Sequence, residues 1–193
     1  MGKKMSSPIS NSYNIDLKEY IRTVSGFPKA GIAFRDITSL IENPLAFNKS
    51  LLDLSSLTMS FGATKLIGIE SRGFIFGAPI ARDLELPFIM ARKPGKLPNE
   101  THNRDFDLEY GSTSLEIQKI TEITEHDNVV IIDDLIATGG TAIACADIVH
   151  EHFAVPKENI LILALINLPT LQGSAIIEQH GYNVNTLIEF EGE

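Results

Sequence analysis

Cysteine is almost missing from this chain. Among 193 residues only Cys145 is one, which excludes an intrachain disulfide and any cysteine-based zinc site. A reducing, cytoplasmic setting is expected. Cys145 sits in an apolar helical pattern, so a small buried residue is expected there rather than a catalytic thiol. Long hydrophobic runs are also missing: Ile160 to Ile166 falls far short of the roughly 20 residues a membrane-spanning helix needs. Positive charge is in deficit. Lys and Arg number 16 against 25 Asp and Glu, a formal net charge of −9. That disfavours a general nucleic-acid or anionic-membrane binder. It still allows a phosphorylated small molecule, because local cations and backbone amides set the field inside a cleft. Two phosphate-binding signatures are absent as well, GxxxxGK[ST] and GxGxxG, which leaves a P-loop unsupported and dinucleotide binding poorly supported.

What is present is organised around residues 129–141. Val129 to Ile132 are four branched apolar residues, short enough and bounded sharply enough to be a buried strand. Asp133 and Asp134 follow at its carboxyl end, where open α/β sheets hold their ligands. Then come Leu135 and Ile136, the turn Ala137-Thr138-Gly139-Gly140-Thr141, and an amphipathic segment with Ala142, Ala146, Val149 and Phe153 on one side. Glycines let the backbone approach an anion closely, and free N–H groups with the helix dipole favour it. Strand, acidic pair, anion-cradling turn and helix make one unit.

The rest of the chain alternates in the same way. Its hydrophobic fraction of 44% and charged fraction of 21% are those of an ordinary globular protein. Residues 1–14 are polar and aperiodic and read as a loose tail; residues 15–193 read as one domain. Asp16 is expected to cap a helix running to about Val24. Residues 26–38 read as a Gly/Pro-punctuated loop in which Phe34 plugs a core and Arg35-Asp36 is a solvated pair. Pro44 opens a helix to about Ser60 with a stripe of Phe47, Leu51, Leu54 and Leu57. Residues 65–69 are a second buried strand, ending in Glu70-Ser71-Arg72-Gly73, and a helix follows to about Leu84. Residues 87–91 are a third strand, ending in Arg92-Lys93-Pro94-Gly95-Lys96. Residues 97–107 lack periodicity and are expected to be a mobile loop, the usual form of a lid. Strand structure is expected from 107 to 117, over 159–166 and over 185–190, with a helix over 170–180. Repeated strand–helix alternation predicts an α/β fold with an open, mostly parallel sheet flanked by helices.

Three strand ends would then deliver charge to one sheet edge. Arg72, Lys93 and Lys96 suit a diphosphate, the turn from Ala137 to Thr141 suits a monophosphate, and Asp133 and Asp134 suit vicinal hydroxyls. Singly, each has a plainer reading: a lysine beside a proline turn is usually solvated, and a strand-end aspartate often caps the next helix. A carboxylate pair also suits a metal or a phosphoacceptor site. Together they favour a ligand bearing both phosphates and hydroxyls.

Residues 130–141 resemble the PRPP signature of the type I phosphoribosyltransferases. Four further stretches resemble the adenine-specific branch of that family: residues 27–37 (FPKAGIAFRDI), 70–77 (ESRGFIFG), 92–98 (RKPGKLP) and 108–111 (LEYG). Their order and spacing agree from about Ile15 to the C-terminus. The resemblance implies the type I phosphoribosyltransferase fold, with a small N-terminal base-binding hood and a flexible lid loop. It implies transfer of the 5-phosphoribosyl group of PRPP to N9 of adenine, giving AMP and pyrophosphate in purine salvage, with Mg²⁺ held mainly through PRPP and water rather than by direct protein ligands.

By the same resemblance, Ala137, Thr138, Gly139, Gly140 and Thr141 would bind the 5′-phosphate. Asp133 and Asp134 would hold the ribose hydroxyls, and Arg72, Lys93 and Lys96 the pyrophosphate. The backbone of Ala33 would read the 6-amino group and N1 of adenine, Arg35 would donate to N7, and Phe34 and Leu135 would sandwich the ring. Glu109 would manage the purine proton; its plainer reading is a strand-edge carboxylate with no catalytic part. Ala33 departs from the larger aliphatic residue relatives often carry there, which bears on packing around the base. A homodimer is implied, with no nucleic-acid or membrane partner. Two other readings stay open at this point: a homologue using another purine, and a non-catalytic PRPP-sensing regulator, against which the acidic charge and the lack of room for a DNA-binding module before Ile15 both stand.

Overall fold

The computed structural model describes residues 15–108 and 111–191. The tail expected over 1–14 and the candidate Glu109 lie outside the described residues. The chain falls into two compact units that divide between Lys49 and Ser50.

In the first unit, Asp16 caps only a single 3-10 turn, Leu17–Tyr20, by accepting from the Lys18 N–H at 2.9 Å. The expected helix to Val24 does not form. Instead β1 (Arg22–Ser25) pairs antiparallel with β2 (Ala33–Asp36), aligning Arg22 with Asp36 and Ser25 with Ala33. Branched Thr23 and Val24 favour a strand once a partner is at hand, and tertiary pairing overrides the local cap signal. The loop expected over 26–38 is therefore a hairpin whose turn is closed by Gly26 N–H on the Ile32 carbonyl at 2.8 Å. A short helix, α1 (Thr38–Glu42), follows, and Ser39 Oγ ties it back to the Tyr20 carbonyl at 2.7 Å.

Helix α2 (Pro44–Phe61) begins where the proline predicts, with the Asn43 side chain accepting from the amides of Leu45 and Ala46. Its buried ridge is Ala46, Ser50, Leu54 and Thr58, with Phe47, Leu51 and Leu57 only half-buried beside it. Thr58 is tolerated there because its hydroxyl donates to the Leu54 carbonyl at 2.8 Å, leaving no unpaired buried polar group.

The second unit is built on a five-stranded parallel sheet. Its strands are β3 (Lys65–Ile69), β4 (Phe88–Ala91), β7 (Val129–Ile136), β8 (Ile160–Asn167) and β9 (Asn183–Glu189), in the spatial order β4-β3-β7-β8-β9. Every residue of β8 is buried, which a strand covered on both faces requires and which explains its unbroken apolar sequence. Alternate residues face opposite ways. Ile67, Ile69, Val129, Ile131, Ile160 and Ile162 join one core with Ala142, Cys145, Ala146 and Val149 of α4 (Gly140–Phe153). Leu66 and Ile132, out of phase with them, lie against α3 (Gly73–Asp83) through its glycines at 77 and 73. Helices therefore cover both faces, as expected. Cys145 is fully buried, and burial pushes its thiol far above the ordinary range, so the apolar reading of this cysteine holds.

Two expectations are corrected here. Residues 101–108 are not an irregular loop: β5 (Thr101–Leu108) and β6 (Gly111–Gln118) form a continuous antiparallel hairpin, with Thr101 opposite Gln118 and Arg104 opposite Leu115. The period-two signal was hidden because the half-buried face of β5 carries His102, Arg104 and Phe106 rather than aliphatic residues. The helix expected over 170–180 is broken by Gln172 in the left-handed region (φ 58°), leaving a 3-10 turn Pro169–Leu171 and a short α5 (Gly173–Gln179). No helix among the described residues is long and apolar enough to cross a membrane.

Candidate active site

Parallel strands that begin together also end together, and the carboxyl ends of β3, β4 and β7 bring their loops to one place. A cavity of about 260 Å³ opens there, lined by Glu70, Arg72, Lys93, Asp133, Asp134 and Thr141 among others. Leu135 also lines it, and so do Phe106 of β5 and Thr113 to Leu115 of β6. The structure thus gathers five of the predicted polar residues, two cations, two carboxylates and a hydroxyl, around one space.

Asp133 and Asp134 are adjacent near the carboxyl end of β7, and both border the cavity. Asp134 is buried, its side chain 4% exposed, and meets the Arg72 guanidinium at 3.1 Å. Its backbone N–H donates to Asp133 Oδ1 at 2.9 Å, which fixes the neighbouring carboxylate. Burial first, then the charge of Asp134, pushes the Asp133 carboxyl well above the ordinary carboxylate value. Burial raises Asp134 too, against the pull of Arg72. Two desolvated carboxylates side by side are electrostatically poor company, and a ligand bringing hydroxyl donors or positive charge relieves both.

The loops after β3 and β4 are held by an ion pair that the sequence reading passed over. Arg92 grips Glu70 with two hydrogen bonds, Nε to Oε2 at 3.2 Å and Nη2 to Oε1 at 3.1 Å, while the Lys93 N–H adds a third to Oε2 at 3.0 Å. Arg92 Nη1 also donates to the Lys96 carbonyl at 3.1 Å. These bonds hold the Glu70 carboxyl below its ordinary value, the Arg92 hydrogen bond foremost, with the charges of Arg92 and Lys96 adding to it. Bidentate arginine–carboxylate geometry fixes orientation as well as distance. Arg72 and Lys93, on the two loops, are thereby kept in register. The signal for this clamp was present in the sequence as Glu70 and Arg92 at two strand ends, but only the sheet order pairs them. Lys96 has an exposed side chain and does not line the cavity.

The turn from Ala137 to Thr141 joins β7 to α4. Gly139 is left-handed (φ 83°), a conformation that favours glycine, and Gly140 opens the helix. The first amides of a 14-residue helix therefore face the carboxyl edge of the sheet, beside the cavity that Thr141 lines.

Three of the four predicted base-binding residues, Ala33, Phe34 and Arg35, belong to the first unit and lie together on β2, whereas the fourth, Leu135, lies on β7 of the second. Phe34 is half-buried and makes an edge-to-face contact with Phe27 at 5.1 Å between centroids. Arg35, expected to be solvated, is buried, and its Nη1 donates to Thr23 Oγ1 at 2.5 Å. Asp36 pairs instead with Arg22 at 2.9 Å, across the hairpin. The plain reading of Arg35-Asp36 as a mutual pair is thus replaced: adjacent strand residues face opposite sides, so each takes a partner on β1.

Among the described residues no group of three or more His, Cys, Asp or Glu side chains is gathered to hold a metal ion. The donors on offer are hard carboxylate oxygens, which suit a divalent ion that keeps water and takes ligand oxygens better than one needing a protein cage.

Comparison with known proteins agrees with this geometry. The phosphoribosyl transferase domain family matches residues 48–164. The chain is 45% identical over 176 residues to an adenine phosphoribosyltransferase of Haemophilus ducreyi, covering 91% of this chain and 96% of that one. Among solved structures it is similar to the Giardia lamblia enzyme complexed with 9-deazaadenine, with a TM-score of 0.85, 34% identity, and 92% and 97% of the two chains covered. It is also similar to the Saccharomyces cerevisiae adenine phosphoribosyltransferase complexed with an imino-altritol bisphosphate and adenine, with a TM-score of 0.79, 34% identity, and coverage of 89% and 96%.

Proposed function

The chain belongs to the phosphoribosyl transferase family, among its adenine phosphoribosyltransferases, and from that premise we propose how its residues carry the reaction. It transfers the 5-phosphoribosyl group of PRPP to N9 of adenine, releasing pyrophosphate and forming AMP. The observation that carries the assignment of roles is the meeting of Arg72, Lys93, Asp133, Asp134 and Thr141 around one cavity.

The amides and hydroxyls of Ala137 to Thr141 bind the 5′-phosphate at the start of α4. Arg72 and Lys93 take the pyrophosphate, with Lys96 joining them from its exposed position. Asp133 and Asp134 accept from the ribose 2′- and 3′-hydroxyls. As the bond to pyrophosphate lengthens, positive charge grows on the ribosyl ring, and the two desolvated carboxylates lie close to it. That stabilisation is felt mainly in the transition state, so it lowers the barrier rather than merely tightening binding. Mg²⁺ would be held mainly through PRPP and water and would supply neutralising charge for the pyrophosphate that Arg72 and Lys93 bind.

Adenine offers a 6-amino donor and an N1 acceptor, which the carbonyl and N–H of Ala33 complement. Arg35 donates to N7, and Phe34 and Leu135 flank the ring. A 6-oxo purine would set its oxygen against the Ala33 carbonyl, a mismatch that costs about 1–3 kcal/mol per unpaired group. Glu109 handles the purine proton as N9 attacks. The family's homodimer is the working assembly, and light scattering in solution checks it.

The test is a base-by-base assay. With PRPP and Mg²⁺, adenine is expected to give AMP and pyrophosphate. Turnover of hypoxanthine, guanine or xanthine without AMP from adenine would overturn the base assignment, and tight PRPP binding with no pyrophosphate from any base would overturn the enzymatic one.

A further inference from the structure

Gly173 opens α5, more than thirty residues after the phosphate turn, and has no part in the roles given above. Nothing in its backbone calls for glycine: its φ lies outside the left-handed region, unlike that of Gln172 before it. What calls for glycine is space. A Cβ at position 173 would collide with the Ala137 carbonyl oxygen and lie 2.8 Å from the Gly139 nitrogen and 2.8 Å from Ile136 Cγ2. The approach is reciprocal. A Cβ on Gly139 would meet the Gly173 carbonyl oxygen at 2.9 Å and Ile177 Cγ1 at 3.3 Å.

The contact is also tethered. The Leu168 N–H donates to the Ile136 carbonyl at 3.0 Å, immediately before the turn, and the 3-10 turn from Pro169 carries the chain from there to Gly173. Backbone packs on backbone with no side chain between them, so there is nothing flexible to give way.

We propose that Gly173 is a positioning residue for PRPP: its bare Cα is the seat that holds Ala137 to Gly139 in the shape that binds the 5′-phosphate. This rests on the reading of that turn as the phosphate cradle. A helix N-terminus binds an anion only if several amides converge on it, and a side chain at 173 pushes the first of them out of line. Alanine has higher helix propensity than glycine, so Gly173→Ala leaves α5 intrinsically no weaker and isolates the steric effect. A shift of about 1 Å in a positioned group is enough to cost on the order of a hundredfold in rate.

Calorimetric titration of the full chain with ribose 5-phosphate, with no base present, reads the cradle directly. Gly173→Ala is expected to bind it about tenfold to a hundredfold more weakly, the loss of one or two charge-assisted hydrogen bonds. In steady state its KM for PRPP should rise by a similar factor while its KM for adenine stays within about twofold of wild type. Ile160→Val, a core trim at the opposite end of β8, should leave both constants unchanged. If Gly173→Ala does not fold, Ile177→Ala, which removes the side chain packed beneath Gly139, should produce the same selective loss. Equal ribose 5-phosphate affinity in wild type and variant would overturn the proposal. An affinity difference in a protein that forms no AMP would support it and overturn the adenine assignment alone.

Discussion

Arg104 of the β5–β6 hairpin is paired with Asp147 of α4 at 3.0 Å. The same guanidinium reaches Glu151, one helical turn further on, at 2.9 Å, and Asp147 also accepts from the Tyr182 hydroxyl at 2.7 Å. Beside this network His102 stacks on His152, with centroids 4.1 Å apart, and meets Phe153 edge-on at 5.3 Å. The hairpin, which lends Phe106 and Thr113 to the cavity wall, is thus fastened to α4, the helix that follows the glycine turn.

Arg104→Ala should loosen that fastening. The guanidinium is 43% exposed, so each pair is worth about 1 kcal/mol at most. Amide exchange over 101–106 should speed up about fivefold to tenfold, with little change in the exchange of β7 and β8. Exchange measured by mass spectrometry checks this, and unchanged protection of β5 would refute it.

The histidine stack should make the hairpin sensitive to acid. Burial first, then the charges of His152 and Lys119, lowers the His102 pKa below the ordinary histidine value. The folded state therefore binds fewer protons at this site than the unfolded one just below about pH 6.5. Its contribution to stability is complete above that pH and is lost as pH falls toward the depressed folded value. A thermal midpoint that drops between pH 7.5 and 5.5 in wild type should drop less in His102→Phe.

The acidic pair should work in the opposite sense. Asp133 and Asp134 have raised carboxyl pKa values, so the folded protein holds more protons than the unfolded chain above about pH 4. Without ligand, the pair's unfavourable contribution grows as pH rises through that window. Asp133→Asn and Asp134→Asn should each lower kcat by about a hundredfold or more, while the thermal midpoint of the unliganded protein at pH 7.5 stays level or rises. Calorimetry and initial rates on the same samples decide it; a variant that is destabilised yet nearly as active would contradict the assigned role.

Glu109→Ala should lower kcat about tenfold to a thousandfold, the range of a lost general acid–base group, with KM for PRPP little changed. Glu109→Gln should resemble it, since the amide keeps shape and loses the proton. Unchanged kcat in both would remove Glu109 from the chemistry.

Much of this protein is written in local sequence. The apolar runs at 65–69, 129–132 and 160–166, each followed by a turn and a helical stripe, dictate a parallel sheet, because burial on two faces leaves no other use for them. The turn between β7 and α4 was legible too: Gly139 and Gly140 between an apolar run and a helical stripe allow a left-handed residue and close backbone approach. The Asp16 helix and the 101–107 part of the expected loop differ from the structure because short-range signals there are weak and the deciding partner lies elsewhere, on β2 for one and on β6 and α4 for the other, while 97–100 is irregular as expected.

The sequence by itself determined the fold class, through repeated alternation of apolar runs and helical stripes, and the placing of the acidic pair and the glycine turn at the end of β7, a pattern within about a dozen neighbouring residues. Tertiary structure alone decided that Arg92 clamps Glu70, that Arg104 fastens the hairpin to α4, and that Gly173 seats the turn at Gly139. Those pairs are separated by 22 to 47 residues in the chain. Only the order of the strands and the packing of the helices bring them within contact, and no local periodicity encodes such distances.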